Sequence, residues 1–133
     1  IKEASGDMSY AMKIARLVGD DFALWSGNDD ITIPLLSIGG SGIISVWANI
    51  MPRECHQMVM DYLEGRQAEA RATALRYLDL MNGLFMEVNP IPVKTALNMM
   101  GRDVGPFRMP LWDMSESHQA ALRGLLEEAG LLA

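Results

Sequence analysis

Apolar residues recur at helical spacing from Met8 through Ala11, Met12, Ala15 and Val18, with Asp7 placed to cap the first turn and Gly19 placed to stop the helix. The pattern then shortens. Residues 22–25 (Phe-Ala-Leu-Trp) form a compact apolar run bounded by Ser26 and Gly27, which predicts a buried strand. Asp29 and Asp30 precede an apolar stretch over 31–38 that fits a short helix, with Pro34 in its first turn and two carboxylates at its electropositive end. Gly39 and Gly40 close it. Residues 42–46 (Gly-Ile-Ile-Ser-Val) are rich in β-branched side chains and predict the clearest strand. Pro52 opens a further helix that runs to Gly65.

Apolar strands alternating with short helices imply parallel βαβ units with both sheet faces covered. The character changes near Gly65. Residues 66–87 read as one long helix, with Ala74, Leu78, Met81 and Phe85 on its apolar face. Asn89 and Pro90 are placed as cap and first residue of the next helix, which Gly101 closes. A loop punctuated by Gly and Pro covers 102–114. Ser115 is placed to cap a last helix whose apolar face is Leu122, Leu125, Leu126 and Ala129. The expected division is therefore 1–65, built of βα units, and 66–133, a helical extension.

Composition narrows the function classes. The formal net charge is −6, which disfavours duplex nucleic acid and anionic membrane surfaces, since both are bound through Lys and Arg. No apolar run approaches the ~20 residues of a membrane span. Cys55 is the only cysteine, so no intrachain disulfide is possible and the reducing cytoplasm is the simplest compartment. His56 and His118 lack a neighbouring Cys or His, so a zinc site has little support. The chain opens on Ile1 rather than Met, as expected of a segment cut in mid-element or of a processed N-terminus.

Three lysines are present: Lys2, Lys13 and Lys94. Lys13 falls on the polar side of the first helix, and Lys94 in the first turns of the helix after Pro90. Lys2 alone falls at the end of a predicted strand, where a parallel barrel carries its chemistry. Position alone leaves Lys2 open between a solvated strand-end lysine and a catalytic amine. Glu3 would point away from Lys2 in a strand. Asp29 and Asp30 read as helix-terminus electrostatics rather than an acid–base pair, the many methionines as core or subunit contacts, and Cys55 as inert.

The segment Ile1-Lys2-Glu3-Ala4-Ser5-Gly6-Asp7 resembles the lysine-bearing segment of the pyruvate-dependent class I aldolase family, which takes in the dihydrodipicolinate synthases and the N-acetylneuraminate lyases. The likeness continues in register. Leu24-Trp25-Ser26-Gly27-Asn28-Asp29 resembles the family's next strand end. The run from Gly39 to Val46 with Ala48-Asn49 resembles its last barrel strand. Asn89-Pro90-Ile91-Pro92-Val93-Lys94 and Arg108-Met109-Pro110-Leu111 resemble motifs of its helical extension, and the first of these is closer to the dihydrodipicolinate synthase branch than to the sialic acid lyases.

The resemblance implies an α/β chain: the last three βα units of a TIM (β/α)8 barrel followed by a C-terminal helical extension. It implies that Lys2 forms a Schiff base with pyruvate. A lysine amine must be neutral to attack a ketone, and desolvation favours the neutral form. The resulting iminium draws electrons, so the pyruvate methyl can lose a proton and the enamine can attack L-aspartate 4-semialdehyde. Gly27 and Ile44 are implied to lie against bound pyruvate. For Gly27 the alternative is a turn needing positive φ; for Ile44 it is ordinary core. Trp47 departs from the smaller residue often found there, and is expected to narrow the barrel mouth or line a subunit contact.

No cofactor or metal is expected, and a homotetramer is. The family's proton-relay tyrosine, its Thr-Thr pair for the pyruvate carboxylate and its substrate-binding arginine all precede the lysine segment. This chain is therefore expected to need an N-terminal barrel half, and to show very low synthase activity without one. The alternatives are a sister aldolase acting on a sugar acid or another 2-oxo acid, and a non-catalytic remnant serving as an assembly module.

Overall fold

The structure, a computed structural model, describes residues 1–132. Among them the chain runs β1 (Lys2–Glu3), α1 (Met8–Val18), β2 (Trp25–Ser26), α2 (Thr32–Ser37), β3 (Gly42–Ile43), α3 (Pro52–Leu63), α4 (Gln67–Arg76), α5 (Leu78–Gly83), α6 (Ile91–Met99) and α7 (Glu116–Glu128). Its contacts divide it into two units, Ile1–Arg76 and Tyr77–Ala133. The change of character near Gly65 falls in the turn between α3 and α4, and α4 is grouped with the sheet.

The first unit holds a parallel sheet in the order β1-β2-β3. Lys2 pairs with Trp25 and Glu3 with Ser26; Trp25 pairs in turn with Gly42 and Ser26 with Ile43. Helix α1 begins where expected. The Asp7 carboxylate accepts from the Ser9 and Tyr10 amides, and Gly19 takes the closing position at φ +56°. Ala11, Leu24 and Leu35 form the buried seam, with Met8, Ile14, Ala15 and Ile38 packed against it. Met12, expected on that seam, is 55% exposed, because Ile14 rather than Met12 completes the buried face.

Both longer strands are shorter than the apolar runs predict. The 22–25 run forms a ladder only from Trp25, and Phe22 is 62% exposed, since the 3-10 turn Gly19–Asp21 carries the chain outward before the sheet begins. The 42–46 run pairs only through Ile43. Beyond it, the Val46 and Trp47 amides turn away from the ladder to a side chain, Asp29. Trp47 is fully buried, so it is core of this chain rather than an exposed gate.

The stretch expected as one helix over 66–87 is two, broken at Tyr77 (φ −107°, ψ 10°) and ended at Leu84. Leu84 is buried where Phe85 was expected, and Phe85 is 44% exposed. In the second unit, α7 packs on α5 and α6. Leu122 and Leu126 are fully buried. Helix α6 starts at Ile91 with Pro90 at the cap position, one residue later than expected, and Pro92 sits in the first turn, where a missing N–H costs nothing.

Ser115 precedes α7 but its side chain does not cap it. Its hydroxyl and its amide both donate to Glu87 Oε1, at 2.9 and 3.0 Å, and His118 Nδ1 meets the same oxygen at 2.8 Å.

Candidate active site

Three parallel strands end side by side, and the residues at those ends are the ones the sequence singled out. Lys2 lies in β1, Gly27 follows β2 and Ile44 follows β3. Their backbones are stitched laterally. The Gly27 amide donates to the Glu3 carbonyl at 2.6 Å, and the Ile44 amide donates to the Ser26 carbonyl at 2.9 Å. The sheet register thus fixes Gly27 beside β1 and Ile44 beside β2.

Lys2 is exposed and Glu3 is 5% exposed, the two-residue alternation of a strand. The Glu3 carboxylate is turned into the protein, where Oε1 accepts from the Ser5 amide at 2.8 Å. It stands on the opposite face from the Lys2 amine, as strand geometry requires.

Gly27 is not in a positive-φ conformation, which removes the turn explanation for it. The reason for glycine is space. A Cβ at Gly27 would stand 2.4 Å from the Ala4 Cβ and 2.8 Å from the Lys2 Cε, closer than real side chains approach. The Lys2 chain therefore leans across the end of β2, over Gly27. Ile44 is 50% exposed; it is not core, and its side chain is offered at the strand end.

Beneath these residues lies a group the sequence did not distinguish. Asp29 was expected, with Asp30, to decorate the start of α2. Instead its side chain is 3% exposed, and it accepts from the Ser45 hydroxyl, the Val46 amide at 3.2 Å and the Trp47 amide at 3.1 Å. Burial pushes its carboxyl above the usual aspartate range, against the lowering effect of those three hydrogen bonds, and neighbouring Asp30 adds to the rise. The strand expected over 42–46 stops at Ile43, and only that stop leaves the amides at 46 and 47 in need of an acceptor. Nothing in the sequence says that Asp29 rather than Asp30 supplies it.

Cys55 is buried, and burial pushes its thiol up, with Ser45 acting the other way; a protonated thiol is a poor nucleophile. A cleft of about 340 Å³ beside β3 and α3 is lined by Trp25, Gly42, Ile43, Cys55 and His56 among others. It includes none of Lys2, Gly27 or Ile44, so it is separate from the strand-end cluster. Among the described residues no group of three His, Cys, Asp or Glu could hold a metal ion, and no helix is long and apolar enough to cross a membrane.

Comparison with known proteins converges on one family. The pattern of the dihydrodipicolinate synthetase family matches residues 1–129. The 4-hydroxy-tetrahydrodipicolinate synthase of Clostridium tetani is 52% identical over 132 residues, which is 99% of this chain and 45% of that protein. The enzyme of the same name from Clostridium perfringens (strain SM101) is 50% identical over the same shares of each chain. Among solved structures, dihydrodipicolinate synthase from Thermotoga maritima superposes with a TM-score of 0.93 at 41% identity, covering 99% of this chain and 46% of that one. The chain thus spans about half the length of the curated relatives it matches.

Proposed function

Because the chain belongs to the dihydrodipicolinate synthetase family, we propose that Lys2 is the amine that condenses with pyruvate in a 4-hydroxy-tetrahydrodipicolinate synthase. The Lys2 nitrogen attacks the pyruvate ketone, water leaves, and an iminium joins the two. Loss of a methyl proton gives the enamine, which forms a carbon–carbon bond to the aldehyde carbon of L-aspartate 4-semialdehyde as the aldehyde oxygen takes up a proton. The amino group of the adduct then attacks the re-formed iminium carbon, closes the ring and expels the Lys2 amine. Lys2 is the nucleophile and the iminium it forms is the electron sink, so the reaction needs no cofactor. Gly27 and Ile44 flank the anchored pyruvate, Gly27 by leaving room for the Lys2 chain and Ile44 by offering an apolar side chain.

The observation that carries this reading is the juxtaposition of Lys2 and Gly27 at adjacent parallel strand ends, with Lys2 Cε in the space a Cβ would fill. Strand ends of this kind carry the chemistry of parallel barrels.

The same reading makes β1–β3 with their helices the last three βα units of a TIM barrel, and residues 66–133 a helical extension. It is supported by the length of the relatives, more than twice that of this chain, and by two open edges on a three-stranded parallel sheet. An N-terminal half would bring the groups that move protons and grip the pyruvate carboxylate. Assembly as a homotetramer in the cytoplasm belongs to this reading.

Substrate comparison tests it. The full-length protein should consume pyruvate with L-aspartate 4-semialdehyde, and turn over pyruvate with sugar aldehydes poorly. The reverse preference would move the protein to a sister aldolase.

A further inference from the structure

The backbone that carries Ile44 is held from both sides. On one side its amide donates to the Ser26 carbonyl, one residue before Gly27. On the other, the residues that follow it converge on one buried carboxylate. Ser45 gives its hydroxyl to Asp29 Oδ1, and Val46 and Trp47 give their amides to Asp29 Oδ2. Ser45 Oγ also accepts the Ala48 amide at 2.8 Å, so four consecutive residues after Ile44 are tied to Asp29 directly or through Ser45.

Asp29 itself is two residues beyond Gly27, in a loop fixed by its own bonds. Ser26 Oγ donates to the Asn28 carbonyl at 2.8 Å, and Thr32 Oγ1 donates to the Asp29 carbonyl at 2.9 Å. One short circuit of hydrogen bonds therefore connects the Gly27 backbone to the Ile44 backbone. The competing role, electrostatic support of α2, does not fit the geometry. The Thr32 amide donates to the Asp29 main-chain carbonyl, and the carboxylate is spent on residues 45–47.

We propose that Asp29 is a positioning residue for the pyruvate subsite: by gripping Ser45, Val46 and Trp47 it holds Ile44 in register with Gly27 and Lys2. This rests on the pyruvate reading above. Asp29 does not touch substrate; its effect passes through the backbone of residues 44–47. Three donors converge on this one buried acceptor, and removing it leaves the buried Trp47 amide without it. The strand end would then relax, and the Ile44 side chain with it.

The test uses Asp29→Ala, Asp29→Asn and Ser45→Ala in the full-length protein, with folding followed by thermal unfolding. Asp29→Ala should raise the KM for pyruvate roughly tenfold, equivalent to about 1.4 kcal/mol. The KM for the aldehyde should stay nearly constant, and borohydride should still trap saturating pyruvate on Lys2. Asp29→Asn keeps an acceptor oxygen for the two amides and should recover most of the affinity for pyruvate. Ser45→Ala removes one of the three contacts, and should raise the pyruvate KM less, even if Asp29→Ala does not fold. If the unsubstituted protein traps pyruvate but Asp29→Ala, or failing that Ser45→Ala, leaves its KM unchanged, the positioning role alone is overturned. Equal loss of affinity for both substrates overturns it too. Absence of any adduct in the unsubstituted protein overturns the pyruvate reading itself.

Discussion

The Lys2 side chain crosses over Gly27 so closely that a Cβ on the glycine would stand 2.8 Å from Lys2 Cε. A side chain at position 27 would thus compete with the Lys2 chain for the same space, which glycine leaves open.

Gly27→Ala should therefore act on the lysine. The new methyl also meets Ala4 Cβ at 2.4 Å and the Glu3 carbonyl oxygen at 3.0 Å, so flexing the lysine alone cannot relieve it. Overpacking of this kind costs about 1–3 kcal/mol. Thermal unfolding should report that loss, and borohydride trapping of pyruvate should slow by more than the loss of folded protein explains. Unchanged trapping in Gly27→Ala would mean that the close approach is incidental to the chemistry.

The start of α7 should carry a pH signature. His118, then Ser115, hold the Glu87 carboxyl below the usual glutamate range. A carboxyl with a lowered pKa in the folded state adds stability above its unfolded pKa, about 4.3. That stability is lost as pH falls through the lower, folded value. Urea unfolding should show wild type more stable than Glu87→Gln at neutral pH, and the gap should close as pH falls through the carboxylate range. A gap that does not depend on pH would remove Glu87 as the charged partner.

Two positions in α7 should respond in opposite directions. Gly124 lies inside the helix, and a Cβ there meets nothing within 4 Å. Gly124→Ala should stabilise by about 0.5–1 kcal/mol, the backbone freedom glycine loses on folding. Leu122, two residues earlier, is fully buried, and Leu122→Ala should destabilise by about 2–5 kcal/mol. Denaturant midpoints measure both. A destabilising Gly124→Ala would show that this face of α7 is covered in the assembled protein.

Much of this architecture was legible because its signals are local. Asp7 and Gly19 bracket α1 as their chemistry requires, and Pro52 opens α3. Lys2 falls in β1, as its position at the end of a predicted strand required. What escaped depended on neighbours distant in sequence. Gly27 reads as a turn residue until β1 is laid beside it, where a Cβ would collide with Ala4 and with the Lys2 chain. Asp29 and Asp30 are chemically identical in the sequence. Only the end of β3 selects Asp29, because the 46 and 47 amides turn toward it. The break at Tyr77 likewise leaves no trace in the helical periodicity, which runs through it.

Covalent capture of pyruvate by Lys2 can be read directly. The full-length protein is incubated with pyruvate, reduced with borohydride, digested and mapped by mass spectrometry. A reduced pyruvate adduct is expected on the peptide holding Lys2, lost in Lys2→Arg, since arginine cannot lose its proton to act as nucleophile. An adduct on Lys13 or Lys94 in place of Lys2, or no adduct at all, would contradict it.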